Sequence, residues 1–342
     1  MKRIIIIIMK EFSIMKDSKI LIIFLFIFTI IFSFNCSRGK TSDNSTGKTD
    51  FKTGSIIHDD MERTYYYYIP SGYDKSKSLP LVIALHGGGG TGKGINKATG
   101  GFNDIAEKET FIIVYPDGVE KHWNDGRGVS QYTAQKENID DTGFISSFID
   151  YFIEEFNADK NRVYVTGISN GGLMSYRLAF ELPQKIAAFA PVIANLQEEL
   201  VKNYSPNGPV PILIMNGTED PLMPFNGGDI HFYKKKLGKV ISTEETVKFW
   251  VKENNCSQKP EITWLEDKDP SDGTRVKREV YSGGDNGTEV ILYTIEGGGH
   301  TWPGGSQYLP EKIIGKTCRD INGCQIIWDF FKKHSKIVKG EE

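Results

Sequence analysis

Beyond residue 60 the chain alternates between short apolar runs and polar, glycine-rich stretches. Residues 65–70, 79–86, 111–115, 163–168, 186–193 and 210–215 are dense in Val, Ile, Leu, Phe and Tyr. The longer of these runs lack a polar alternate position, which predicts strands covered on both faces. Between them the period changes. Apolar residues at 144, 145, 148, 149, 152, 153 and 156 recur at helical spacing, with Asp141 placed as the N-cap. A helix is expected from the turn after 168 through Leu182, another over 241–255 carrying Phe249 and Trp250, and a last one over 321–331 carrying Trp328 and Phe331. Residues 262–266, 275–281 and 289–295 read as further strands. This βα alternation predicts an α/β fold, a mostly parallel central sheet with helices on both faces. Without a repeat or a second composition regime, residues 56–336 form one domain, followed by a polar tail at 337–342.

The first 55 residues follow another pattern. Lys16, Asp17 and Lys19 precede fifteen uncharged residues, Ile20 to Phe34, and then Cys36. Fifteen residues fall short of the roughly 20 that span a bilayer and suit the apolar region of a signal peptide. Residues 1–35 are therefore expected to direct export, to the cell envelope or beyond. The cysteine ending the run resembles the lipidated cysteine of bacterial lipoproteins, so membrane attachment is expected only through modified Cys36. Residues 36–55, rich in Ser, Thr, Asp, Asn, Gly and Lys, read as a flexible linker. The net charge of −3 gives no electrostatic reason to expect a nucleic-acid partner. In an exported chain Cys318 and Cys324 are close enough to bridge a loop, with Cys256 as the rival partner of either. No C-x-x-C or histidine-rich spacing predicts a metal site.

The candidate chemistry starts at Gly167-Ile168-Ser169-Asn170-Gly171. A serine in a tight strand-to-helix turn holds its hydroxyl clear of the sheet, and flanking glycines relieve the crowding. Such a hydroxyl needs a base, and the base needs an orienting carboxylate. His300, in the glycine-rich stretch after the last strand, is the candidate base. Asp220, after the 210–215 strand, is the candidate acid, with Glu219 and Asp229 nearby. Gly87 and Gly88, in Leu85-His86-Gly87-Gly88-Gly89-Gly90, can bring bare backbone N–H groups against a developing oxyanion, together with the N–H of Asn170. His86 reads as structural. Trp123, in a polar loop, and Trp302, beside His300, are candidate substrate-binding residues.

Leu85-His86-Gly87-Gly88-Gly89-Gly90, Gly167-Ile168-Ser169-Asn170-Gly171-Gly172, Asn216-Gly217-Thr218-Glu219-Asp220 and Gly299-His300-Thr301-Trp302-Pro303-Gly304, in chain order, resemble the polyhydroxybutyrate-depolymerase-like esterases, which are similar to the feruloyl and acetylxylan esterases of carbohydrate esterase family 1. The likeness covers about residues 60–332. It implies an α/β-hydrolase fold and hydrolysis of carboxylic esters through Ser169, Asp220 and His300, without a cofactor, on a small-molecule, oligosaccharide or oligoester substrate. The family often carries a cysteine in the oxyanion loop, where this chain has only glycines. A silent glycan-binding lipoprotein and a prolyl-oligopeptidase-type peptidase are the alternatives.

Overall fold

The computed structural model describes residues 51–336. The expected signal peptide, Cys36 and the tail 337–342 lie outside the described residues. Twelve strands are described: β1 (Lys52–His58), β2 (Met61–Tyr68), β3 (Leu79–Leu85), β4 (Ile112–Pro116), β5 (Ala158–Ile168), β6 (Ala188–Val192), β7 (Ile212–Gly217), β8 (Gly228–Phe232), β9 (Lys235–Val240), β10 (Glu261–Trp264), β11 (Arg275–Tyr281) and β12 (Val290–Glu296). The helices are α1 (Gly92–Thr99), α2 (Phe102–Glu109), α3 (Thr133–Lys136), α4 (Asp141–Phe156), α5 (Asn170–Glu181), α6 (Glu198–Asn203), α7 (Thr243–Glu253), α8 (Glu311–Ile314) and α9 (Gly323–Phe331).

Ten strands form one sheet in the order β1-β2-β4-β3-β5-β6-β7-β12-β11-β10, while β8 and β9 make a separate hairpin. From β4 to β12 neighbouring strands run parallel. Both margins are antiparallel: β1 turns into β2 through a short hairpin, β2 pairs with β4, and β12, β11 and β10 succeed one another at the other edge. Along β3, Leu81, Ile83 and Leu85 join one apolar layer while Val82 and Ala84 join the other. This two-residue alternation, apolar on both sides, is the reason the central strands carry no polar stripe. One layer packs Phe144, Phe148 and Phe152 of α4, Leu178 of α5 and Trp250 of α7 against the sheet. The opposite layer holds Ile95 of α1, Phe102 of α2, and Trp328 and Phe331 of α9. Helices thus cover both faces.

Several expectations change. β1 begins at Lys52, inside the segment expected to be linker, because residues 52–58 pair in register with residues 61–67 of β2. The N-cap of α4 is Asp140, whose side chain accepts the Gly143 N–H. Asp141 is instead fully buried, 2.6 Å from the Arg63 guanidinium, which also lies over the Phe144 ring. Cys256, Cys318 and Cys324 are all buried free thiols, so the expected Cys318–Cys324 disulfide is absent. Cys324 lies on α9 with its thiol turned to the Thr99 carbonyl, whereas Cys318 sits in the loop before the helix. No helix among the described residues is long and apolar enough to cross a membrane.

Candidate active site

β5 ends at Ile168 and α5 opens at Asn170, leaving Ser169 alone to turn the chain. Its φ of 54° and ψ of −117° fall outside the regions favoured by L-residues, a strain that the surrounding packing must hold. A Cβ on Gly167 would stand 2.4 Å from the Gly171 carbonyl oxygen, and one on Gly171 would stand 2.2 Å from that of Leu85. Only bare backbone lets the turn sit this close to the end of β3. The Ser169 N–H donates to Val192 O at 3.0 Å, tying the turn to β6.

The loop after β3 packs directly against this turn. A Cβ on Gly87 would lie 3.6 Å from Ser169 Cβ, and one on Gly88 would lie 3.7 Å from Asn170 Cβ. Gly89 and Gly90 donate their N–H groups to Lys121 O and Gly87 O, both at 2.9 Å. That leaves the N–H groups of Gly87 and Gly88 without a backbone acceptor among the described residues. The Asn170 N–H, at the first position of α5, is one of the donors a helix cannot satisfy internally. His86 fixes the loop from beneath: Nε2 accepts the Gly118 N–H at 2.9 Å and Nδ1 lies 2.8 Å from Gly87 O. Burial pushes its imidazole down to about 4, so it is neutral at pH 7, as one donor and one acceptor require.

Asp220 follows β7. Its Oδ1 accepts the N–H groups of Leu222 and Met223, each at 2.8 Å, and its Oδ2 lies 2.7 Å from His300 Nδ1. Both side chains are almost solvent-free, at 2% for Asp220 and 5% for His300. With the carboxylate accepting, Nδ1 carries the proton and Nε2 presents a lone pair. The loop bearing His300 is held at its far side, where Gly299 donates to Lys316 O at 2.9 Å and the Tyr308 hydroxyl donates to His300 O at 2.8 Å. Ser169 and His300 line the same cavity of about 640 Å³. No hydrogen bond joins the Ser169 hydroxyl to His300 among the described residues; such contacts commonly tighten only when substrate docks.

Ile95, Met223, Ile230, Leu237, Leu309 and Ile314 give this cavity apolar lining, joined by Gly87, Gly88 and Asn170 and by the polar His122, Arg127, His231 and Lys235. Neither tryptophan lines it. Trp123 is fully buried, its indole N–H donating to His86 O at 2.9 Å while its ring packs on the His86 imidazole. Trp302 is fully buried against Phe102. The expectation that they bind substrate is therefore corrected: both are supports beneath the loops that carry the site. Sequence reasoning also missed the Asn170 side chain. Its Oδ1 accepts the Trp123 N–H at 2.8 Å and its Nδ2 donates to Asp125 Oδ2 at 2.6 Å, clamping the 122–128 loop to the turn. Asp125 is in turn paired with Arg127 at 2.8 Å, both buried. The β8–β9 hairpin, which supplies Ile230 and Leu237, was missed as well; it is too short to carry a clear period.

Sheet order, the glycine-flanked turn and the acid–imidazole pair beside an apolar cavity define an α/β-hydrolase. The "Putative esterase" family model matches residues 60–291, and the chain belongs to this esterase family. It is 31% identical over 258 residues to "Putative esterase NocK" of Nocardia uniformis subsp. tsuyamanensis, covering 73% of each chain. It is also 31% identical over 241 residues to feruloyl esterase B of Piromyces equi, covering 68% of this chain but 41% of that one. The chain thus spans less than half of that longer relative. Among solved structures, an acetyl xylan esterase from Aspergillus awamori superposes with a TM-score of 0.51 at 16% identity, over 82% of this chain and 99% of the other, a likeness of fold alone. The protein is a carboxylic ester hydrolase by family.

Proposed function

We propose that the protein hydrolyses esters of bulky apolar acyl groups, such as hydroxycinnamates, through an acyl-enzyme on Ser169. His300 Nε2 takes the Ser169 proton as Oγ attacks the ester carbonyl. The Asp220 carboxylate holds the reactive tautomer and stabilises the imidazolium without taking the proton. The N–H groups of Asn170 and of Gly87 and Gly88 receive the charge that develops on the carbonyl oxygen. His300 then protonates the leaving alcohol, and water repeats the attack on the acyl-serine, which restores the hydroxyl.

The observation that carries this reading is the 2.7 Å contact between Asp220 and His300, the latter lining the cavity that Ser169 also lines. The substrate class rests on volume. A cavity of about 640 Å³, with Ile95, Met223, Ile230, Leu237, Leu309 and Ile314 beside Arg127, His231 and Lys235 in its lining, far exceeds what an acetyl group fills, and burying apolar acyl surface contributes roughly 25 cal/mol per Å². Of the relatives' names, feruloyl esterase B supports the acyl group, while the bifunctional acetylxylan esterase/xylanase XynS20E of Neocallimastix patriciarum supports only an ester of a saccharide and points to acetyl as the competing acyl group. Export through residues 1–35, with lipid attachment at Cys36, completes the reading and suits an oligosaccharide ester outside the cell. The deciding experiment compares kcat/KM on methyl ferulate and methyl acetate, with Ser169→Ala as control. A preference for ferulate of at least tenfold, abolished in the variant, is expected. Equal rates on the two esters refute the acyl assignment, and an active Ser169→Ala refutes the nucleophile.

A further inference from the structure

Away from the cavity, the loop before β11 and the loop before α9 bring Asp272, Cys318 and Asp320 together, with one ligand atom of each within 4.8 Å of the other two. Each carboxylate is already oriented by backbone. Asp272 accepts the N–H groups of Thr274 at 2.6 Å and Arg319 at 2.7 Å, and Asp320 Oδ1 accepts those of Lys268 at 2.8 Å and Asp269 at 3.0 Å. Asp320 is 2% exposed, yet its Oδ2 is buried without a hydrogen-bond partner. The Thr274 hydroxyl, on a residue also 2% exposed, is in the same condition. An orphaned carboxylate oxygen is costly in a folded interior, so this arrangement calls for a group that can satisfy it.

We propose that Asp272, Cys318 and Asp320 bind a divalent cation of the zinc class, with the Thr274 hydroxyl or water completing a tetrahedral shell. The donor set selects the metal. A thiolate disfavours calcium and magnesium, which take oxygen ligands, and suits zinc. The geometry is close to ready. Three atoms within 4.8 Å of one another all lie within about 2.8 Å of some common point, and Zn–O and Zn–S bonds of about 2.1 and 2.3 Å need a contraction of about half an ångström. The backbone N–H groups on both carboxylates act as the outer shell that holds ligands in place.

Binding breaks the Cys318 S–H bond. The sulfur keeps both electrons for the metal, and the proton leaves to solvent. The site also has a mechanical use. It would pin residues 318–320 next to Lys316, whose carbonyl accepts from Gly299 N–H and from the Thr301 hydroxyl at 3.0 Å on either side of His300. A metal would thus hold in place the segment where a disulfide was expected.

The test uses the purified full chain, loaded with Zn²⁺, freed of excess by gel filtration and analysed by inductively coupled plasma mass spectrometry. One zinc per chain is expected, falling at least tenfold in Cys318→Ser and in Asp320→Asn, with circular dichroism confirming that the variants are folded. Cd²⁺ in place of Zn²⁺ is expected to give an ultraviolet cadmium–thiolate band in the wild type and none in Cys318→Ser. Should Asp320→Asn fail to fold, Asp272→Asn and the cadmium band decide. The inference is overturned if the wild type retains no zinc, if zinc survives loss of Cys318, or if Ca²⁺ rather than Zn²⁺ raises the melting temperature.

Discussion

Replacing Asp220 by asparagine isolates what the carboxylate contributes, because the geometry lets the fold survive the change. Asparagine keeps the carbonyl oxygen that accepts the Leu222 and Met223 N–H groups, so the turn after β7 retains both hydrogen bonds. What changes is the other oxygen. An amide NH₂ now faces His300 Nδ1, at the position where the carboxylate oxygen lies 2.7 Å away. Two donors cannot share that contact, so the imidazole places its proton on Nε2 and loses the lone pair that would accept from Ser169. The missing charge adds a second loss. Unit charges about 4 Å apart at an effective dielectric near 20 attract by about 4 kcal/mol, and both side chains here are nearly dry. At 1.36 kcal/mol per decade, losing that attraction to the imidazolium lowers the rate about 10³-fold, and the inverted tautomer pushes the loss higher. The assay is kcat/KM on a p-nitrophenyl ester, with the melting temperature as folding control. A fall of 10³-fold or more, seen in kcat, is the expected outcome. A variant within threefold of the wild type would show that Asp220 orients nothing and that Glu219 or another acid serves.

Two further outcomes follow from the packing around the turn. Gly171→Ala drives a Cβ to within 2.2 Å of Leu85 O and 2.6 Å of His86 O, both backbone atoms that cannot rotate away. Stability should fall by about 3 kcal/mol or more by urea denaturation, and a loss under 0.5 kcal/mol would mean that the close approach is illusory. His86 titrates near 6.5 when unfolded and at about 4 when buried, so the unfolded chain binds its proton first as the pH drops. Its contribution is present above pH 6.5 and is lost as the pH falls through the window from 6.5 to 4, by about 3 kcal/mol in total. Urea midpoints at pH 7 and 4.5 should therefore diverge more in the wild type than in His86→Gln; equal divergence contradicts a buried neutral imidazole.

The parts of this molecule that were legible in its sequence are those whose environment is uniform. β3, β4, β7 and the part of β5 from Val163 onward are buried on both faces, so their apolar runs announce them without knowledge of any partner. The glycines at 167 and 171 are equally readable, because a strained serine turn needs them locally. What stayed hidden depends on residues far away in the chain. Asp141 looked like a helix cap and is a buried partner of Arg63, 78 residues earlier. Trp123 looked like a ligand contact and is a core residue, because its indole N–H finds the His86 carbonyl 37 residues back. α1 and α2 are eight residues each, and the glycines in and between them obscure their period. The pairing of β1 with β2 is set by register rather than by hydrophobicity, which let Lys52 to Ser55 pass for linker. Cysteine spacing misled for the same reason: Cys318 and Cys324 are six apart in sequence but serve different neighbours.

Ser169, strained at the turn and lining the cavity with His300, is the proposed nucleophile. Treating the folded protein with a fluorophosphonate and mapping the adduct by tandem mass spectrometry tests it most directly. Cleavage after Arg162 and Arg177 releases the turn on a single tryptic peptide, residues 163–177. One stoichiometric adduct on Ser169 of that peptide is expected, lost on prior unfolding and in Ser169→Ala. Full labelling elsewhere, or none on the folded chain while ester hydrolysis persists, would contradict it.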